Sequence, residues 1–396
     1  MERLIEIHQK KLQSTNLDFI RSDMNTIPWN ERLIGIKGSR GVGKTTLLLQ
    51  YAKKHLSGDN CLYVSLDNIW FGENHLVDLA DRFAKRGGTH LLIDEVHKYP
   101  NWSQEIKNIY DDYPELKVVF TGSSLLSILN KRADLSRRAL SYNMKGLSFR
   151  EYLNMTQNTN FPIINVSDIL KKHEQIAKDI VKQIKPLQFF DAYLKTGYYP
   201  FFKESEFTYY SRIQEIANMI IEVELPLLRK VEVAYSNKLK QLLFIIAQSV
   251  PFIPNIVKLA ERIGVNRNTL LSYLHYMDEA ELISNIFKQA VGVSILQKPD
   301  KIFLENPSLV FALSMEKPNV GNLRETFFVN QLTKKHKITY TNKGDFLIDE
   351  KFTIEVGGKN KTGNQIQQVK NAFIALDDIE YGYYNRIPLW LFGFLY

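Results

Sequence analysis

The chain has 396 residues, 44% of them hydrophobic and 24% charged, which fits a globular protein of two or three domains. Its 51 Lys and Arg against 43 Asp and Glu leave a net charge of +8, which permits nucleic-acid contact without requiring it. A single cysteine, Cys61, excludes an internal disulfide, the charged N-terminus lacks a signal-peptide pattern, and no apolar run is long enough to span a bilayer. A cytoplasmic location with no membrane partner is expected.

Residues 1–30 read as an N-terminal helical segment that ends in a connector through Pro28 and Trp29. Leu4, Ile5, Leu12, Leu17 and Ile20 give it an apolar face, expected to pack on the domain that follows.

Residues 31–150 alternate strand and helix signals, with strands expected at 33–36, 61–66, 91–95, 117–120 and 139–144. Such alternation predicts a doubly wound parallel sheet, whose ligands sit at the carboxyl ends of the strands. The first strand runs into Gly38, Ser39, Arg40, Gly41, Val42, Gly43, Lys44, Thr45 and Thr46, which contain the phosphate-loop pattern G-x-x-x-x-G-K-[ST]. Glycines there let backbone N–H groups turn inward as an anion nest at a helix N-terminus. Lys44 would reach the β- and γ-phosphates of ATP, and the Thr45 hydroxyl would ligate Mg²⁺.

The third strand ends in Asp94 and Glu95. An Asp at a strand end suits a residue that holds Mg²⁺, and the Glu after it can act as general base toward water. The alternative is a solvated strand end. The fourth strand ends in Thr121, Gly122, Ser123 and Ser124, where the Ser123 hydroxyl could bond the attacking water or the γ-phosphate, or simply cap a helix. Arg137 and Arg138 follow. Arg138 is the candidate for stabilising transition-state charge, in cis or from a neighbouring subunit of an oligomer, against the alternative of a surface arginine.

The stretches GSRGVGKTTLL, LLIDEVHKYPNWSQEIKNIYD, KVVFTGSSLLSI and GLSFREYL together resemble the prokaryotic AAA-like ATPases of the archaeal-ATPase group. LKTGYYPF, at 194–201, is similar to a further segment of that group, with Gly197 alone where two glycines are usual. The resemblance implies ATP binding, ATP hydrolysis and a C-terminal domain similar to restriction endonucleases.

Residues 151–240 carry helical patterns, at 169–184 and 210–223, and are expected to form a helical lid over the nucleotide. Residues 241–290 resemble a winged helix-turn-helix: a helix at 256–263, a turn at Gly264 and Val265, a second helix capped by Asn266, and a wing strand at 282–287. Leu270, Leu274 and Met277 mark its buried face. Arg267, Asn268 and Ser272 suit DNA contact, whereas Asp278, Glu279 and Glu281 would repel phosphate, so a protein partner is the alternative.

Residues 291–396 return to α/β character, with a strand at 301–304 and a helix carrying Glu325. Asp345, Glu355 and a following lysine resemble a metal-dependent nuclease core. The usual lysine position is Gly357, so Lys359 or Lys361 would have to substitute, and an inactive nuclease-like fold is expected. The expected fold class is therefore α/β: a P-loop parallel sheet, a helical lid, a winged helix and a smaller nuclease-like domain. Two functions fit best: Mg²⁺-dependent ATP hydrolysis coupled to movement of the C-terminal domains, or a slow nucleotide-gated switch that recruits DNA or protein; a third, an active metal-dependent nuclease, is disfavoured by Gly357.

Overall fold

The computed structural model describes residues 1–56, 58, 60–125, 135–229, 232–248, 252–288 and 297–396. Residues 126–128 of the KVVFTGSSLLSI stretch lie outside these. The chain divides into two compact units, Met1–Gly146 and Leu147–Tyr396, so the expected lid, winged helix and nuclease-like regions belong to one unit.

In the first unit, β1 (Leu33–Lys37), β2 (Cys61–Ser65), β3 (His90–Asp94), β4 (Lys117–Gly122) and β5 (Leu140–Asn143) form a parallel sheet in the order β2-β3-β4-β1-β5. Strands β1 to β4 are short, nearly continuous apolar runs because both faces of a parallel sheet are covered. Helix α1 (Glu2–Ser14) precedes β1, and α2 (Lys44–His55), α3 (Leu76–Lys85) and α4 (Trp102–Asp112) are the crossovers between β1, β2, β3 and β4. One core cluster joins Leu62 and Val64 of β2, Leu91 and Ile93 of β3, and Val118 and Phe120 of β4 to Leu79 and Phe83 of α3 and to Ile106 of α4.

Helix α1 delivers Leu4 into this cluster, with Ile5 packed against it, while Leu17 stays exposed. Trp29 stacks on Tyr51 of α2, with ring centroids 3.8 Å apart and planes 9° from parallel. The Trp29 indole N–H is fixed on the Met24 carbonyl at 2.7 Å.

The second unit opens with α5 (Phe149–Gln157) behind a capping box: Ser148 Oγ accepts from the Glu151 amide, and the Glu151 carboxylate accepts from the Ser148 amide. Ser148 Oγ also donates to the Tyr396 carbonyl at 2.6 Å, and Arg150 Nε reaches the same oxygen at 2.9 Å. Phe149 packs on Phe190, Tyr193 and Phe394, so the first helix and the last residues of this unit share one aromatic core. Helices α6 (Val166–Val181) and α7 (Tyr209–Met219) follow, the latter running into a short π-helical stretch, Ile220–Glu224.

Beyond α8 (Ser236–Gln248) come α9 (Ile256–Ile263), a left-handed turn at Gly264, and α10 (Arg267–Glu279) capped by Asn266. Strands β6 (Ile283–Ile286) and β7 (Lys301–Leu304) pair antiparallel as a two-stranded ribbon. Helices α11 (Pro307–Leu313) and α12 (Val320–Leu332) lead to a mixed five-stranded sheet of β8 (Ile338–Tyr340), β9 (Phe346–Ile348), β10 (Phe352–Gly357), β11 (Ala372–Leu376) and β12 (Arg386–Pro388), in the order β12-β11-β10-β9-β8. Pairing is antiparallel among β8, β9 and β10 and parallel among β10, β11 and β12. Among the described residues no helix is long and apolar enough to cross a membrane.

Candidate nucleotide site

The site is assembled at the carboxyl ends of β1, β3 and β4. After Lys37 the backbone turns sharply at Gly38, where a Cβ would lie 2.2 Å from the Met144 carbonyl oxygen, so only glycine fits. Gly43 has φ 98° and acts as N-cap of α2. Lys44 and Thr45 therefore begin the helix, at the end where its amides and dipole favour an anion. Lys44 is buried, and its ammonium donates to the Gly38 and Ser39 carbonyls at 2.8 Å each. Val42 is buried and its carbonyl accepts from Arg21 Nη1 at 2.9 Å; Arg21 Nη2 reaches the Lys145 and Gly146 carbonyls. Arg21 thus ties the glycine loop to the segment after β5. Gly41 and Thr46 are exposed.

Strand alternation explains the next group. Leu62, Val64, Ile93 and Phe120 point into one core cluster, so Tyr63, Asp94 and Thr121 share the opposite face of three neighbouring strands. Asp94 is 2% exposed and its carboxylate collects three hydroxyls: Thr45 at 2.6 Å and Tyr63 at 2.8 Å on Oδ2, and Thr121 in a short hydrogen bond on Oδ1. Burial, and then the Asp94 carboxylate, push the Tyr63 phenol well above its ordinary range, so it remains a donor. A hydroxyl and a carboxylate beside a phosphate-loop helix start are the hard oxygen donors that Mg²⁺ takes, and in that sense the residues present fit the ion.

Glu95 adopts φ 54°, a left-handed conformation that costs a non-glycine residue roughly 1–2 kcal/mol. Its amide is satisfied by Thr121 Oγ1 at 3.2 Å. Its Oε2 lies 3.5 Å from His97 Nε2 and 3.9 Å from Arg40 Nη2, and Arg40 and His97 are 3.2 Å apart. The carboxylate expected to serve as base is thus held beside a guanidinium supplied by the glycine loop.

The other expected residues divide. Ser123 is buried, and its hydroxyl accepts from the Leu125 amide at 3.4 Å in a local turn, while Thr121 of the same quartet is the hydroxyl that reaches Asp94 and Glu95. Arg138 holds Asp111 with two nitrogens, at 3.0 and 3.2 Å. Tyr63, Arg21 and His97 are contributors that the sequence pattern did not single out.

In the second unit, Arg267 and Asn268 are exposed at the start of α10. The acids expected to repel phosphate are engaged: Asp278 accepts from the Asn285 amide, Glu279 pairs with Arg229, and Glu281 is buried. Farther on, Lys301 is buried between Glu325 and Asp345, and Lys361 pairs with Glu355. Burial pushes the Glu325 carboxyl up and the neighbouring Asp345 adds to this, while Lys301 and Lys361 pull it down.

Comparison with known proteins gives a family match that falls mostly in the first unit. The match is to the AAA domain, over residues 30–153. An uncharacterized protein of Methanocaldococcus jannaschii is 26% identical over 92% of this chain and 84% of its own length. Among solved structures, DnaA from Aquifex aeolicus bound to AMPPCP is similar at 14% identity and TM-score 0.25, over 69% of this chain and 86% of that one. The Saccharomyces cerevisiae Hsp104–ADP complex is similar at 15% identity and TM-score 0.28, over 69% of this chain and 41% of that one. The family match, with the parallel sheet and its glycine loop, supports a P-loop AAA-like ATPase domain.

Proposed function

We propose that this protein binds ATP with Mg²⁺ and hydrolyses it, and that hydrolysis drives movement of residues 147–396. The observation that carries the reading is the 2.6 Å hydrogen bond from Thr45 to Asp94, which joins the glycine loop to an acidic strand 49 residues away. Backbone amides at the start of α2 cradle the phosphates, and Lys44 leaves the Gly38 and Ser39 carbonyls for the β/γ oxygens. Thr45 and Asp94 would hold Mg²⁺, whose charge offsets that of the phosphates. Glu95 takes a proton from the attacking water, while the Thr121 hydroxyl donates to the Asp94 carboxylate and accepts from the Glu95 amide.

Glu95→Gln keeps size and hydrogen bonding but removes basicity. It should leave nucleotide binding nearly intact and lower turnover by roughly 10² to 10⁴. Asp94→Asn should instead weaken the Mg²⁺-dependent part of binding. Equal loss of binding in both variants, or parental turnover in Glu95→Gln, would refute the division of labour.

A second reading is favoured by two contacts of Glu95. With Oε2 of Glu95 held near Arg40 and His97, the carboxylate is engaged within the protein, which suits a slow nucleotide-gated switch whose second unit recruits DNA or protein. Exposed Arg267 and Asn268 at the start of α10 support DNA as that partner.

A further inference from the structure

The carboxylates of the second unit invite a metal, and the geometry around them answers differently. Lys301 opens β7 and is 8% exposed. Its ammonium lies 3.1 Å from Glu325 Oε2 and 3.7 Å from Asp345 Oδ1. The Tyr340 and Phe346 rings flank it, each with its centroid 5.4 Å away. The second oxygen of Asp345 accepts from the Val356 amide at 2.8 Å. Glu355 sits opposite on β10, 1% exposed, with Oε1 at 3.1 Å from Lys361 Nζ.

Gly357 makes that last contact feasible. A Cβ at Gly357 would come within 2.7 Å of Lys361 Cγ, so the Lys361 stem lies across the space that the usual lysine would fill. Among the described residues no three His, Cys, Asp or Glu side chains converge as ligands. A divalent ion needs several oxygen donors free to close in on it. Here Asp345 is shared between an amide and an ammonium, Glu325 faces an ammonium, and Glu355 keeps only Oε2 without a hydrogen-bond partner.

We propose that the ammonium of Lys301 occupies the place a divalent metal would take between Glu325 and Asp345, so that this centre is a closed ion-pair cluster that binds no metal. An ammonium neutralises the buried carboxylates but offers no vacant coordination position for a water or a phosphoryl oxygen. This inference stands apart from the nucleotide site and is tested without nucleotide.

The probe is Mn²⁺ alone, titrated into the full-length protein and read by the loss of the free-ion paramagnetic signal. The parent and Glu355→Gln should give the same binding curve. A Mn²⁺ site present in the parent and lost in Glu355→Gln would overturn the proposal. Lys301→Met removes the ammonium while keeping the stem, and should gain a Mn²⁺ site that the added change Asp345→Asn abolishes. A folded Lys301→Met that gains no site would also overturn it. Should Lys301→Met fold only with Mn²⁺ present, that dependence supports the proposal; should it not fold at all, the parent and Glu355→Gln curves decide.

Discussion

Asp94 is placed by three hydroxyls from three other elements, and each can be removed separately. Tyr63→Phe keeps the ring and deletes one donor. It should weaken Mg²⁺-dependent nucleotide binding by about 1–2 kcal/mol, read from nucleotide affinity against Mg²⁺ concentration. If Lys44 serves the phosphates as proposed, Lys44→Ala should weaken nucleotide binding, and retained tight ATP binding in calorimetry would contradict that role. Cys61 makes a pH prediction. Burial pushes its thiol up to about 12, above an ordinary value of about 8.5. The folded state favours the protonated form, so this contribution to stability is full below the ordinary value and fades as pH rises toward about 12. The native protein should resist alkylation at neutral pH and react once unfolded, as mass spectrometry would show. The glycine loop, Asp94 and Glu95 were legible in the sequence because their spacing is local or ends a strand. Tyr63 and Arg21 were not, because their partners are 31 and 124 residues away. Thr121 lay within the hydroxyl quartet, and the strand register that pairs Ile93 with Phe120 is what brings it, rather than Ser123, beside Asp94.

At the scale of elements, apolar runs located β1 to β4 of the first sheet within a residue or two. Their order across the sheet was not legible, since a run of buried residues carries no record of its neighbour. Helix α10 was legible from its cap: Asn266 Oδ1 accepts from the Thr269 amide at 2.8 Å. Asn266→Ala should cost about 1 kcal/mol, seen as a lower denaturant midpoint with an unchanged slope. If α10 meets DNA, Arg267→Glu should weaken binding and reduce the salt dependence by about one phosphate contact. An unchanged salt slope in a folded variant would leave α10 as a structural or protein-binding helix.

At the scale of the molecule, the chain divides into two compact units, Met1–Gly146 and Leu147–Tyr396. Composition does not shift sharply between 151 and 396, and the contacts that unite this stretch are long-range. Ser148 and Arg150 hold the Tyr396 carbonyl, and Phe149 packs on Phe394. Phe394 is fully buried, so Phe394→Ala should cost about 3–5 kcal/mol. Calorimetry should show this loss in the transition of residues 147–396, while the transition that ATP stabilises shifts little.

The Trp29–Tyr51 stack gives the first unit an optical handle. Tyr51 rides on the helix that starts at Lys44, while Trp29 is tethered to Met24, outside that helix. A small tilt of the helix on phosphate binding would slide the two rings and change the indole emission. Trp29 is therefore a native fluorophore for stopped-flow work on the glycine loop, and Trp29→Phe should abolish the nucleotide-dependent signal while the chain's other tryptophans still emit.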